Sequence, residues 1–245
     1  MRIDTSSCVP LYAQVEGALA AGIETGQLRP GTQLPPEDSL IAHFAVSRTT
    51  IRAAVQNLAR RGLVEIRRGR GTFVASPKLT QELSGLTGFV EDMQALGKQA
   101  TARLIDQQVM PAAQTVAEHL HLEKGVPIVR IRRVRLADGT PMSLDETFLP
   151  HDVGIKVMAN DLEVEPIFTI LEQKYDLPLT EADYRLEAIA ANTDVAAALN
   201  VPLGSPIFLV ERTSYCAGRR PIDYERLHYR GDQISFVTRL ARRRA

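Results

Sequence analysis

Two sets of arginines stand at spacings suited to holding anions. Arg133 and Arg135 fall two apart in a strand-like run over 127–137, alternating with Arg132 and Val134. Period two puts them on one face of a strand. Two guanidiniums on an inward face are costly unless something anionic satisfies them, and a carboxylate or phosphate is the natural partner. The alternative is a solvent-facing strand whose arginines are neutralised within the chain by Asp145 or Glu225. Arg48 and Arg52 are four apart, so on a helix they share a face, with Thr49 beside it. A planar guanidinium fork matches O6 and N7 of guanine in the major groove. Small hydroxyl residues at a helix start, here Ser47, Thr49 and Thr50, can hold phosphate. Farther on, Arg67-Arg68-Gly69-Arg70-Gly71 joins two glycines, for a tight tip, to three arginines, for positive charge.

The elements that must position these groups are legible nearby. Pro35 and Pro36 stop the preceding chain, and Glu37 and Asp38 place negative charge in a first helical turn, where the dipole favours it. Leu40, Ile41 and Phe44 form one apolar face. Ala45-Val46 makes a turn, and Ser47 is a natural N-cap for the next helix. There Ile51, Ala54, Val55 and Leu58 recur at i, i+3, i+4 and i+7, a stripe facing a core. Strand patterns at 63–66 and 72–74 flank the arginine-glycine tip. Two helices at an angle followed by a basic hairpin make a winged helix-turn-helix. Upstream, a helix from Pro10 to about Thr25 carries Val15, Leu19 and Ile23 four apart and is expected to pack behind the recognition helix. Gly26 and Pro30-Gly31 end it.

Charge separates this head from the rest. The chain has 29 basic and 29 acidic residues, a net charge of zero. Residues 1–76 hold nine Arg, no Lys and six acids, leaving +3. Between Arg48 and Arg70, seven Arg face a single acid, Glu65. Basic charge gathered on one small domain points to a polyanion partner. The 245 residues, 44% apolar and 24% charged, suit a water-soluble protein of one or two domains. No apolar run is long enough to span a bilayer and no signal peptide is visible, which points to the cytoplasm and to no membrane partner. Cys8 and Cys216 match no metal or redox motif. His43, His151 and His228 are isolated, and His119-x-His121 is badly spaced for one metal on a helix. No nucleophile elbow, P-loop or zinc motif is present. Catalysis, a metal and a cofactor are therefore not expected.

The head resembles the GntR family of bacterial transcription regulators. The resemblance is carried in order, over the first third of the chain, by Pro10-Leu11-Tyr12, then Gly26, Leu28, Pro30 and Gly31, then Leu34-Pro35-x-Glu37, Val46-Ser47-Arg48-x-Thr50-Ile51-Arg52, Gly62-Leu63 and Gly69-x-Gly71-Thr72-Phe73-Val74. Ile51 departs from the usual Val or Leu but keeps the apolar role. The resemblance implies a homodimer that binds double-stranded operator DNA through Glu37, Ser47, Arg48, Thr49, Thr50, Arg52, Arg68, Gly69, Arg70 and Gly71.

A linker is expected at 77–83, between a head of residues 1–76 and a second domain of residues 84–245. Strand patterns fall near 101–109, 127–137, 140–149, 181–191, 205–216, 220–230 and 233–241. Helical patterns fall near 87–96, 112–121, 165–175 and 193–200. Asp138-Gly139 and Ala217-Gly218 are hairpin signals. Strands joined by tight turns imply an antiparallel sheet with flanking helices, an α+β chain overall.

This region resembles the UTRA effector-binding domain of the HutC branch, whose fold is like that of chorismate lyase. The features are Leu86-Thr87-Gly88-Phe89, Arg133-x-Arg135, Asp138-Gly139-x-Pro141, Phe148-Leu149-Pro150, Glu225 and Arg230-Gly231-Asp232. The resemblance implies a small anionic effector held by Arg133 and Arg135, with the segment Thr87, Gly88 and Phe89 at a helix start assisting. Asp145 stands where many relatives carry a Glu that reads a polar ligand group, and Glu225 where a second acid often does. Pro166 and Phe168 stand where sugar-phosphate-binding relatives tend to carry Ser and Tyr, so Phe168 is expected to give apolar contact. Two other functions stay open: a second domain that only dimerises, and a chorismate-lyase-like enzyme with a DNA-binding appendage.

Overall fold

The computed structural model describes residues 3–4, 7–67, 69–75, 78–83 and 85–240. The chain divides between residues 77 and 78 into two compact units.

The first unit holds α1 (Leu11–Glu24), α2 (Glu37–Phe44), α3 (Arg48–Arg60), β1 (Val64–Arg67) and β2 (Gly71–Val74). Its core joins Val15 and Leu19 of α1 to Leu40 and Phe44 of α2 and to the whole apolar stripe of α3, Ile51, Ala54, Val55 and Leu58. The wing closes the core with Val64 and Val74, which face each other across the antiparallel β1–β2 pair. Ala45 adopts a left-handed conformation, φ 53°, which breaks α2 and lets the chain turn into α3.

The second unit is a six-stranded sheet in the order β4-β5-β6-β9-β8-β7, every neighbour antiparallel. Its strands are β4 (Ala100–Pro111), β5 (Pro127–Ala137), β6 (Thr140–Pro150), β7 (Glu181–Ala190), β8 (Pro206–Cys216) and β9 (Arg220–Arg230). Asp138 and Gly139 both take positive φ, 48° and 75°, as a tight primed turn between β5 and β6 requires. On one face lie α5 (Gln114–Leu120), packed on Ile128, Phe148 and Tyr224, and α8 (Thr193–Leu199), packed on Val134, Leu144 and Ile207. On the other lie α4 (Phe89–Ala95), packed on Val210, Leu227 and Tyr229, and α6 (His151–Met158), packed on Val129, Ile131 and Leu149. The short helix α7 (Ile167–Thr169) runs on into a wider π turn, Ile170–Lys174, in the same cluster as α6.

Three elements differ from the sequence expectation. The stretch assigned to a linker at 77–83 contains β3 (Leu79–Glu82), which pairs in parallel with β10 (Ile234–Val237) and buries Gln81. The strand expected at 233–241 is thus shorter and forms its own two-stranded sheet apart from the six-stranded one. Neither strand is legible alone, because each is stabilised by a partner about 150 residues away in the chain. Helix α6 was not expected at all. Its β-branched residues and Gly154 lower helix propensity. It forms because Val153 and Val157 bury against the sheet and Gly154 allows close approach: a Cβ there would stand 2.3 Å from Val129 Cβ. Among the described residues, no helix is long and apolar enough to cross a membrane.

Candidate functional site

The head presents the exposed face of α3. Ser47 caps the helix, its Oγ accepting from the Thr50 N–H at 3.2 Å, and it shares hydrogen bonds of 2.8 Å with the hydroxyls of Thr49 and Thr50. A cluster of three hydroxyls therefore sits at the helix start. Arg48 and Arg52 project from the surface opposite the buried stripe. Arg48 Nη2 lies 2.6 Å from Asp38, and Arg52 Nε donates to both Glu37 oxygens at 2.9 and 3.1 Å. So the acids at the start of α2 hold the guanidiniums of α3 in position. All four side chains are exposed, and exposed pairs are worth only about 0–1 kcal/mol, so a nucleic acid can replace them cheaply.

The wing tip carries Gly69, Arg70 and Gly71; Arg68 lies outside the described residues. Gly71 has φ 111°, and its backbone passes so close to Gln33 that a Cβ would stand 2.3 Å from the Gln33 amide nitrogen. That amide donates to the Arg70 carbonyl at 3.0 Å and ties the tip to the head, leaving the Arg70 side chain exposed. Arg67, beside the tip, stacks over Phe73 at 4.6 Å.

In the second unit, Gly88, Phe89, Arg133, Arg135, Asp145, Phe168 and Glu225 line one cavity, together with Arg212, Leu227 and Tyr229. Strand register explains the meeting. Arg133 faces Asp145 and Arg135 faces Ser143 across β5–β6, while Thr147 faces Glu225 across β6–β9 and Glu225 faces Arg212 across β9–β8. The cavity is narrow, about 30 Å³, room for only a couple of waters.

The charges inside are unevenly paired. Glu225 is taken by Arg212, whose Nε donates to it at 2.9 Å and whose Nη2 bonds it as well, and by the Thr147 hydroxyl at 2.9 Å. Arg212 also reaches the Tyr184 hydroxyl at 2.9 Å and the Thr87 carbonyl at 3.2 Å, and lies over the Phe168 ring at 4.5 Å. Burial works against its charge, but Glu225, then Tyr184 and Asp223, outweigh it and leave the guanidinium more basic than usual. Arg133 and Arg135 have no such partner. Both are buried, neither forms an ion pair among the described residues, and the Nε of each lacks a hydrogen bond. Arg133 Nη1 donates only to the Leu162 carbonyl, at 3.3 Å, and Arg135 stacks over Phe89 at 4.9 Å. Burial, with Arg135 adding repulsion, pulls the Arg133 guanidinium down to about 9. Asp145 accepts from the Ser143 hydroxyl at 2.6 Å, and burial pushes its carboxyl up despite Arg135 nearby.

Internal neutralisation of Arg133 and Arg135 by Glu225 is therefore not what the structure contains. Of the two acids the sequence offered as their partner, Glu225 belongs to Arg212, which the sequence reading missed, and Asp145 faces Arg133 across β5–β6 without an ion pair to either arginine among the described residues. The alternation that singled out Arg133 and Arg135 also runs along β8, but only the β8–β9 register shows that Arg212 meets Glu225. Thr87 does not line the cavity: its hydroxyl donates to Asp92 at 2.7 Å, and only its carbonyl touches the site, through Arg212. The Gly88 N–H is occupied by Glu91 at 3.1 Å, and Glu91 and Asp92 place two acids in the first turn of α4. That helix start is a poorer anion cradle than its sequence suggests. Among the described residues no cluster of three His, Cys, Asp or Glu could hold a metal.

Fold and site together define a class, a winged-helix head on a domain built around a buried, arginine-rich cavity. Residues 11–74 match the model of the bacterial regulatory proteins of the gntR family, and residues 95–235 match the UTRA domain. The chain is 35% identical over 237 residues to the HTH-type transcriptional repressor NagR of Bacillus subtilis, covering 97% of each chain. It is also 35% identical over 246 residues to an HTH-type transcriptional regulator of Mycobacterium tuberculosis, covering 99% of this chain and 90% of that one. Among solved structures, PhnF from Mycobacterium smegmatis superimposes with a TM-score of 0.66 at 28% identity, over 94% of this chain and 100% of that one. The chain belongs to the GntR family of bacterial transcription regulators, in its HutC branch. It is a DNA-binding regulator and not an enzyme.

Proposed function

We propose that the chain is a repressor that binds double-stranded operator DNA as a homodimer and leaves it when a small anionic effector enters the UTRA cavity. The observation that carries this reading is the pair of buried guanidiniums, Arg133 and Arg135, which share a single buried acid, Asp145, and form no ion pair among the described residues. A domain that served dimerisation alone would gain nothing from that cost. Two heads on a near-palindromic site, half-sites roughly 34 Å apart, would place each α3 in a major groove. Arg48 and Arg52 would read bases or adjacent phosphates there, with Ser47, Thr49 and Thr50 on the backbone. Arg68 and Arg70 would reach the DNA from the wing, whose turn Gly69 and Gly71 permit. Glu37 acts by holding Arg52. Such a protein works beside the chromosome, in the cytoplasm. The name of the NagR relative, a repressor, supports the sign of regulation.

Within the cavity, Arg133 and Arg135 would hold the anionic group, Asp145 a polar group beside it, and Phe89 and Phe168 the apolar body. Glu225 would act through Arg212. That guanidinium ties the cavity to the Thr87 carbonyl, on the segment that leads back to β3. A ligand that displaces Arg212 therefore moves the segment nearest the domain boundary. Coupling is reciprocal, so operator DNA should weaken effector binding. A reporter fused to the chain's own operator tests the proposal in cells. The Arg135→Gln variant should repress under every growth condition in which the wild type is released. A variant released together with the wild type would refute the assignment.

A further inference from the structure

We infer that the effector is a small carboxylic acid with a hydrogen-bond donor close to its carboxylate, and that phosphate esters are excluded. The inference rests on the reading of this cavity as the effector site.

Charge supplies the first argument. Three arginines and two carboxylates line the cavity. Arg212 and Glu225 cancel, which leaves Arg133 and Arg135 against Asp145, one positive charge in excess. One carboxylate brings the buried set to neutrality. A phosphate monoester carries about −1.5 to −2 near pH 7 and would leave uncompensated negative charge in a buried site.

Donors supply the second. A carboxylate has two oxygens, and two guanidinium forks satisfy both. A phosphate monoester presents three terminal oxygens and needs a further set of donors. The cavity rim does not bring one. The Gly88 N–H is spent on Glu91, the Thr87 hydroxyl is spent on Asp92, and Glu91 and Asp92 make the start of α4 acidic. The facing wall, Pro166, Ile167 and Phe168, has no polar side chain.

Register supplies the third. Arg133 and Asp145 are directly opposite on β5 and β6, so their Cβ atoms are about 5 Å apart. A ligand of two or three carbons can place its carboxylate on the arginine and a hydroxyl or ammonium on the aspartate. Asp145 already accepts from Ser143 and, being buried, gains from a second donor.

Thermal melting of the full-length protein, at fixed ionic strength with chloride as reference, tests this with glycolate, acetate, methyl phosphate and inorganic phosphate. Glycolate should stabilise at concentrations about tenfold below those needed of either phosphate, with acetate between. Asp145→Asn should erase the advantage of glycolate over acetate. Arg135→Gln, checked for folding by its operator affinity, should erase the response to both. If methyl phosphate matches or exceeds glycolate and depends on Arg135, the cavity binds anions and the carboxylate assignment is wrong. If none of the four anions gives an Arg135-dependent shift, the effector site itself is wrongly placed and the inference falls with it.

Discussion

Replacing Arg133 by Met separates a ligand-binding arginine from a structural one. The side chain is 3% exposed, makes one long bond to the Leu162 carbonyl, and has its guanidinium drawn down to about 9 by burial and by Arg135. At about 1.4 kcal/mol per pH unit, that displacement amounts to roughly 4–5 kcal/mol of charge held against folding at neutral pH. Methionine keeps most of the aliphatic volume and removes the charge. After allowance for relaxation and for the lost hydrogen bond, Arg133→Met should be more stable than the wild type by about 1–3 kcal/mol. Thermal melts should show this as a rise of about 2–4 °C per kcal/mol. Operator affinity should be unchanged and effector release lost. The pH dependence follows from the sign of the displacement. The folded protein gives up the proton near 9 while the unfolded chain holds it to higher pH. Above 9 the unfolded state therefore binds more protons, and wild-type stability climbs relative to the variant. The advantage of Arg133→Met should be full at pH 7 and shrink by pH 10. Were Arg133 half of a buried ion pair, its loss would strand a carboxylate and cost about 3–5 kcal/mol. A variant that melts below the wild type would refute the reasoning.

The same physics gives opposite results elsewhere. Glu225→Gln should leave Arg212 buried without its counter-ion and cost about 3–5 kcal/mol, read by denaturant unfolding. Asp223, pushed up to about 7 chiefly by burial and then by Glu225, costs stability in full above that pH, and the cost falls as pH drops from 7 toward the ordinary carboxylate range, where the unfolded chain is protonated too; Asp223→Asn should melt above the wild type at pH 8, with the gap narrower at pH 5 and closed only at about pH 4. Gly154→Ala should destabilise by about 1–3 kcal/mol, because its Cβ would meet Val129 at 2.3 Å and α6 must shift, and a melt as high as the wild type's would count against that packing. Arg52→Ala should weaken operator binding by about 1–3 kcal/mol in band-shift titrations, with little change in melting, since its partner Glu37 is exposed. Unchanged operator affinity would remove α3 as the reading helix.

The head was legible in the sequence because its signals are local. The N-cap at Ser47, the stripe Ile51, Ala54, Val55 and Leu58, and the glycine tip of the wing each lie within a few residues of what they organise. The strands of the second domain were legible for the same reason, through alternation and the Asp138-Gly139 turn. Alternation also placed Arg133 and Arg135 on one face. What only the tertiary structure decided is which charges meet. Glu225 could have served either arginine by composition, and the antiparallel order β5-β6-β9-β8 gives it to Arg212 instead. Likewise β3 and β10 are weak segments that exist as strands only through each other, and α6 is a poor helix former held by Val153 and Val157 against the sheet. Local propensity and period are written in consecutive residues. Register between distant strands is set by the packing of the whole domain, and the unpaired charge of the cavity is a product of that register.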